Sequence, residues 1–208
     1  MTYHKRNLPH YHPEWETLFV TFRTVDSLPQ EVLRNWKEEQ DTENRKIALE
    51  PYANRSQKKA ALYNSQKRAF GKFDALLDNS FAGQLRLNKP EIATEVADAL
   101  QWQHRHNNFN LFCYCIMPNH VHFVAQLSDD LQPFNSIMKS IKNYSARQIN
   151  KLLNLQGHFW QREYYDHVVR DGKEFERIIS YVLENPVKAG LVDDWQQWPY
   201  TYLAPELQ

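Results

Sequence analysis

An α+β fold built on an antiparallel sheet is predicted by three observations. Phe109 to Ile116 and His120 to Leu127 are β-prone runs, and Pro118-Asn119 between them supplies turn chemistry, so the two read as an antiparallel hairpin. Thr17 to Arg23 is a third run of β-branched and aromatic residues. Stretches with helical spacing stand between these strands and after them. The order is strand, helices, two strands, helix, strand, helix, which predicts an antiparallel sheet with helices on one side.

Each element has a local cause. After the first strand, Asp26-Ser27-Leu28-Pro29 reads as a helix start with proline in the first turn. Residues from about Gln30 to Leu77 are polar and charged, with recurring apolar positions such as Val32, Leu33 and Trp36. They read as surface helices interrupted at Pro51. The chain is therefore expected to be one domain over residues 1–208 with a helical polar insertion at about 36–75. Asn88 is the expected cap of the next helix, with Pro90 in its first turn. Ile92, Val96 and Leu100 give that helix an apolar stripe, and Asn107-Asn108 ends it. A further helix begins at Pro133, runs through Ile137, Ile141, Tyr144, Gln148 and Leu152, and stops at Gln156-Gly157. Tyr164 to Arg170 reads as a strand and Glu174 to Leu183 as a helix closed by Asn185-Pro186. The aromatic tail, with Trp195, Trp198, Tyr200 and Tyr202, is expected to pack back on the domain.

With 208 residues the chain can bury a core without disulfides. Its two cysteines, Cys113 and Cys115, are too close in sequence to bridge well, so a reducing compartment is expected. The first residues lack the apolar run of a signal peptide, and no stretch approaches the roughly 20 apolar residues of a membrane span. A cytoplasmic protein is the expectation. Basic and acidic residues balance at 25 each, so whole-chain charge does not point to nucleic acid. Basic residues do cluster locally. Arg55, Lys58, Lys59, Lys67, Arg68 and Lys72 form one group; Lys139, Lys142, Arg147 and Lys151 form another.

Met117-Pro118-Asn119-His120-Val121-His122 is the sharpest local feature. Residues two apart on a strand point to one face, so His120 and His122 can share a metal ion. Taken alone, the pair reads equally well as a polar surface pair. Tyr144 and Gln148 stand one turn apart on one helix face, where a phenol and an amide oxygen project together. On spacing alone, a half-buried tyrosine and a solvated glutamine explain them better. Two imidazoles with an amide oxygen make an incompletely filled set that suits Mg²⁺ or Mn²⁺ and leaves room for phosphate oxygens. Tyrosine, with a free pKa of about 10, would attack a phosphate polarised in this way once deprotonated. Cys113 and Cys115 offer a rival. In a two-residue hairpin Cys115 lies opposite His122, and a Cys₂His₂ zinc site becomes conceivable, although packing in a core strand is the commoner fate of such cysteines.

Several blocks together resemble the REP-associated tyrosine transposases, relatives of the single-tyrosine HUH transposases of insertion sequences. They are Val20 to Arg23 with Asp26 to Pro29, Phe73 to Asp78, Leu85-Arg86 and Pro90 to Ala93. Cys115 to His122, Ser140 to Asn150, Phe159 to Asp166 and Tyr181 to Val192 complete the pattern. The resemblance implies a ferredoxin-like antiparallel sheet with flanking helices, the HUH endonuclease fold. It implies His120 and His122 as metal ligands, Gln148 as the third, and Tyr144 as the nucleophile. The implied reaction cuts and rejoins single-stranded DNA at REP-like hairpins through a 5′-phosphotyrosine link, in a monomer or homodimer. Lys139, Lys142, Arg147, Lys151 and Arg162 are the expected DNA contacts. Asn119, Arg162, Glu163 and Asp166 recur in the family blocks without a separable role, whereas Trp160, Asn185 and Pro186 read as packing and capping. Two other readings remain at this stage: a domesticated module that binds repeat hairpins without cutting, and a zinc-stabilised interaction protein.

Overall fold

The computed structural model describes the backbone of residues 2–5 and 9–12, and residues 16–79, 87–128 and 132–208 in full. The chain divides into two compact units, Met1–Val25 with Leu85–Gln208, and Asp26–Gln84.

The first unit carries a short hairpin, β1 (Thr2–Lys5) and β2 (Pro9–His12), and a five-stranded sheet. The sheet is formed by β3 (Thr17–Arg23), β4 (Phe109–Ile116), β5 (His120–Leu127), β6 (Tyr165–Val168) and β7 (Thr201–Leu203). Its order is β6-β3-β5-β4-β7 and every pairing is antiparallel. The expected hairpin is present. Met117 donates its backbone N–H to His120 O at 2.8 Å, which leaves Pro118-Asn119 as the two-residue turn. The aromatic tail does pack back, and it does so as the edge strand β7 against β4.

Strand alternation sorts the sheet into two faces. One face presents Leu18, Val20 and Phe22 of β3, Val121, Phe123 and Ala125 of β5, and Phe109, Leu111, Tyr114 and Ile116 of β4. Helices preceding and following the hairpin cover it and bury Ile92, Val96, Leu100, Ile137, Met138, Ile141 and Ile149 in the same core. They are a pre-hairpin helix over Pro90–Arg105 and a post-hairpin helix over Phe134–Leu153. The former is capped at Lys89 rather than Asn88, with no side-chain cap bond. The latter ends at Asn154, which takes the left-handed conformation with φ 50°, ahead of the expected stop.

The other face is not bare, which corrects the expectation of helices on one side only. A helix over Gly172–Leu183 packs on β4 and β5 there. Its start is capped by two carboxylates. The Asp171 carboxylate accepts from Glu174 N at 2.8 Å, and Glu174 Oε2 accepts from Arg170 N at 3.0 Å. Phe175 meets Phe112 edge-on at 5.0 Å. Phe112 is the residue at which β4 bulges, between the pairings of Leu111 and Cys113.

The second unit holds two helices, Gln30–Leu49 and Arg55–Asp78, broken where Pro51 stands. Asn54 caps the second by accepting from Gln57 N at 3.0 Å. In chain order the helices so far are α1 (Gln30–Leu49), α2 (Arg55–Asp78), α3 (Pro90–Arg105), α4 (Phe134–Leu153) and α5 (Gly172–Leu183). A short α6 (Asn185–Lys188) follows. Trp36 and Phe73 pack at 4.8 Å between α1 and α2. Arg68 pairs with Glu43 at 3.2 Å and Lys72 with Glu39 at 3.4 Å, so two members of the first basic cluster are engaged within this unit. Among the described residues no helix is long and apolar enough to cross a membrane.

Candidate metal centre and its flanking tyrosine

β5 projects His120 and His122 onto the α5 face of the sheet, and both are fully buried. The cross-strand register sets a row of side chains on that face: Tyr165, Thr21, His122, Cys115 and Thr201, in sheet order. Arg23 is paired with His120 in the next row.

The two imidazoles turn their Nε2 atoms toward each other at 3.0 Å. Their outer nitrogens are held from behind. His120 Nδ1 lies 2.6 Å from Asn119 Oδ1, and His122 Nδ1 lies 2.7 Å from Thr21 Oγ1. An amide oxygen only accepts, so His120 carries its proton on Nδ1 and presents a bare Nε2 lone pair. The Thr21 hydroxyl both donates and accepts. It can therefore support either tautomer of His122: Nε2–H donating to His120, or Nδ1–H donating to Thr21 with the second Nε2 lone pair free.

Electrostatics keep the pair neutral. His120 is pushed down to about 3, first by burial and then by the Arg23 charge. His122 sits well below the ordinary histidine range, through burial first, then His120, then Lys188. Neutral imidazoles with converging lone pairs, each backed at Nδ1, are what metal-ligating histidines require. The donor set thus fits a divalent cation.

α5 brings Tyr181 to this pair. Its ring lies 5.9 Å from the His122 ring and 6.0 Å from Phe19, which itself stacks on His122 at 5.6 Å. One turn later stands Asn185, at the head of α6. It is fully buried, and neither atom of its side-chain amide has a hydrogen-bond partner among the described residues. An orphaned buried amide costs ~1–3 kcal/mol and calls for an explanation. Lys188 follows at the next turn and holds its ammonium 4.3 Å from the Tyr181 ring centroid. Positions i, i+4 and i+7 share one helical stripe. Gly190, at φ 66°, then ends the helix, with Leu191 N donating to Pro186 O at 2.9 Å.

Tyr144 and Gln148 do not join the histidines. Their helix, α4, buries Ile137, Met138, Ile141 and Ile149 against the face of Val121 and Phe123. Those residues alternate with His120 and His122, so α4 lies across the sheet from the pair. Tyr144 is 39% exposed there and Gln148 is half-buried. Lys139, Arg147, Lys151 and Arg162 are exposed. Lys142 instead donates to the carbonyls of Gln161 at 2.5 Å and Arg162 at 2.8 Å, and so pins the loop after α4. Trp160 donates its indole N–H to Ser145 Oγ at 2.9 Å and packs on Phe22 at 4.7 Å, in keeping with a packing role.

Cys115 does stand opposite His122, as a two-residue turn requires. Both cysteines are buried and free, and burial pushes the Cys113 thiol far up, so it stays protonated and ligates poorly. Among the described residues no group of three metal-binding side chains includes a cysteine.

Residues 84–185 match the family model "Transposase IS200 like". A putative REP-associated tyrosine transposase of Haemophilus influenzae is 29% identical over 105 residues, covering 46% of this chain and 60% of that protein. The REP-associated tyrosine transposase of Escherichia coli is 27% identical over 97 residues, covering 47% of this chain and 56% of that protein. The matched segment thus spans less than two thirds of these relatives. Among solved structures, a REP-associated tyrosine transposase bound to a REP hairpin shares the fold, with a TM-score of 0.52 at 17% identity, over 97% of this chain and 82% of that one. Segment match, curated relatives and fold agree, and this chain is a relative of the IS200-like and REP-associated tyrosine transposases.

Proposed function

We propose that the chain is a metal-dependent transesterase that cleaves and rejoins single-stranded DNA at REP-like hairpins, with Tyr181 as its nucleophile. The observation that carries this reading is the proximity of Tyr181 to a buried, neutral histidine pair whose Nε2 atoms converge. His120, His122 and the amide oxygen of Asn185 would hold the ion, Mg²⁺ or Mn²⁺. A divalent cation at these donors would draw charge from the scissile phosphate as a Lewis acid. Tyr144 and Gln148 give way to Tyr181 and Asn185 in these roles, because the latter repeat the same phenol-amide spacing on the histidine face.

The chain's own groups account for the rest. Asn119 and Thr21 fix the ring orientations. Phe19 walls the site and excludes water from one side. Attack by Tyr181 Oη forms one P–O bond and breaks the bond from phosphorus to the 3′-oxygen. The phenolic proton leaves to solvent, and the departing 3′-oxygen takes one up. The products are a 5′-phosphotyrosine and a free 3′-hydroxyl. Because one phosphodiester replaces another, the step is reversible and the hydroxyl can rejoin a strand. The hairpin-bound neighbour and the REP-associated relatives support the choice of substrate.

Incubation with labelled hairpin DNA and Mn²⁺, followed by a denaturing gel, tests the reading. A shifted band lost with EDTA is expected. Hairpin binding without any adduct would favour the domesticated binding module.

A further inference from the structure

The stripe that carries Tyr181 and Asn185 ends in a cation, Lys188. Lys188 is exposed at its tip, and its ammonium rests 4.3 Å from the Tyr181 ring centroid. Among the described residues it has no carboxylate partner. A flexible, strongly hydrated ammonium parked on an aromatic face is poised rather than committed: the cation–π contact is worth only ~0.5–1 kcal/mol where exposed. A phosphate oxygen beside the tyrosine would outcompete it.

We propose that Lys188 is a second cation of the site, which binds a non-bridging oxygen of the scissile phosphate while Tyr181 attacks. This rests on the functional reading above. In the trigonal-bipyramidal arrangement that Tyr181 and the leaving 3′-oxygen impose, negative charge resides on the equatorial non-bridging oxygens. A divalent cation held by His120 and His122 would supply Lewis-acid chemistry to the phosphate. Lys188, reaching over the nucleophile's ring from the helix, serves the side facing solvent. No bond to Lys188 forms or breaks; it gathers charge that the attack concentrates, and it is worth most when that charge is largest.

The test pairs Lys188→Gln and Lys188→Arg with two hairpin substrates, one natural and one carrying an uncharged methylphosphonate at the scissile position. Single-turnover adduct formation is the readout, with hairpin affinity measured alongside. On natural DNA the glutamine variant is expected to lose ~100-fold in rate, with affinity changed less than about threefold and arginine recovering most of the loss. On at least one methylphosphonate diastereomer the glutamine penalty should nearly vanish, because the charge that Lys188 meets is gone. Equal penalties on both substrates would show that Lys188 merely props the tyrosine, and would overturn the proposal. So would an undiminished glutamine variant. Wild-type protein that forms no adduct on natural hairpins would overturn the functional reading itself, a different failure from either of these.

Discussion

The Tyr181 phenol ring meets the His122 imidazole edge-on, at a centroid separation of 5.9 Å and an interplanar angle of 66°. No other tyrosine on a helix of this unit stands against the histidine pair among the described contacts. Tyr144, by contrast, rides on α4 beyond the sheet. Replacement of each by phenylalanine should separate them. Tyr181→Phe is expected to abolish the covalent adduct while leaving hairpin binding and stability near wild type. Tyr144→Phe, at a 39% exposed position, is expected to keep adduct formation within about threefold and to cost under ~0.5 kcal/mol. Denaturing gels and urea melts would report both.

Asn185 makes an unusual stability prediction. Its amide is buried with no partner, so truncation removes an unsatisfied group as well as a few packing contacts. Asn185→Ala should therefore change stability little in EDTA, while it weakens Mn²⁺ binding at least about tenfold, or ~1.4 kcal/mol. Calorimetric titration of the metal alone measures the second quantity. A strongly destabilised variant with intact metal affinity would reduce Asn185 to a packing residue.

Behind the histidines, Thr21 and Asn119 are expected to matter through orientation. Thr21→Val removes the partner of His122 Nδ1, and Asn119→Ala that of His120 Nδ1. Loss of such partners typically costs ~10–100-fold in metal affinity. Each variant should therefore be rescued in part by raised Mn²⁺. Failure of excess metal to restore any adduct would mean that these residues act elsewhere.

Acid should destabilise the metal-free protein through the same pair. Both histidines have native pKa values below the unfolded value of about 6.5. Above that pH neither state binds the proton, and the contribution to stability is complete. As pH falls below about 6.5 the unfolded chain takes up protons that the native pair refuses, so stability declines, continuing toward about 3 for His120. Urea midpoints in EDTA at pH 7.5, 6 and 5 should fall more steeply for wild type than for a His120→Asn, His122→Asn double variant. Parallel curves would contradict the assignment of neutral buried imidazoles.

The zinc reading has its own check. With Cys113 protonated and buried, purified protein should contain no stoichiometric cysteine-bound zinc, and Cys115→Ala should fold and keep its metal affinity. Elemental analysis and calorimetry would decide it.

Much of this architecture was legible in the chain. The Pro118-Asn119 turn between β-prone runs fixed the central hairpin, and alternation along β5 placed both histidines on one face. It even placed Cys115 opposite His122. Periodicity likewise found α3, α4 and α5. What escaped was long-range. β7 is three residues in an aromatic tail, too short for any pattern to mark. The face on which each helix packs depends on connections that spacing does not reveal. That gap is why spacing could not show on which face of the sheet Tyr144 stands. On the described helices a phenol followed four residues later by an amide occurs twice, at Tyr144-Gln148 and at Tyr181-Asn185, and local spacing ranks them equally. α5 is amphipathic with Tyr181 flanked by Ile179 and Val182, and Asn185-Pro186 looked like an ordinary helix stop. Its amide proves to be buried and unpartnered, and no sequence pattern announces that.

The central claim is that Tyr181 is the residue joined to DNA. The most direct measurement is to trap the adduct on a hairpin substrate with Mn²⁺, digest protein and DNA, and locate the nucleotide-bearing peptide by mass spectrometry. The expected result is a 5′-phosphonucleotide on Tyr181, absent when EDTA is present. A modification on Tyr144 instead would contradict the account, and would mean that the chemistry takes place away from the face on which the histidines stand.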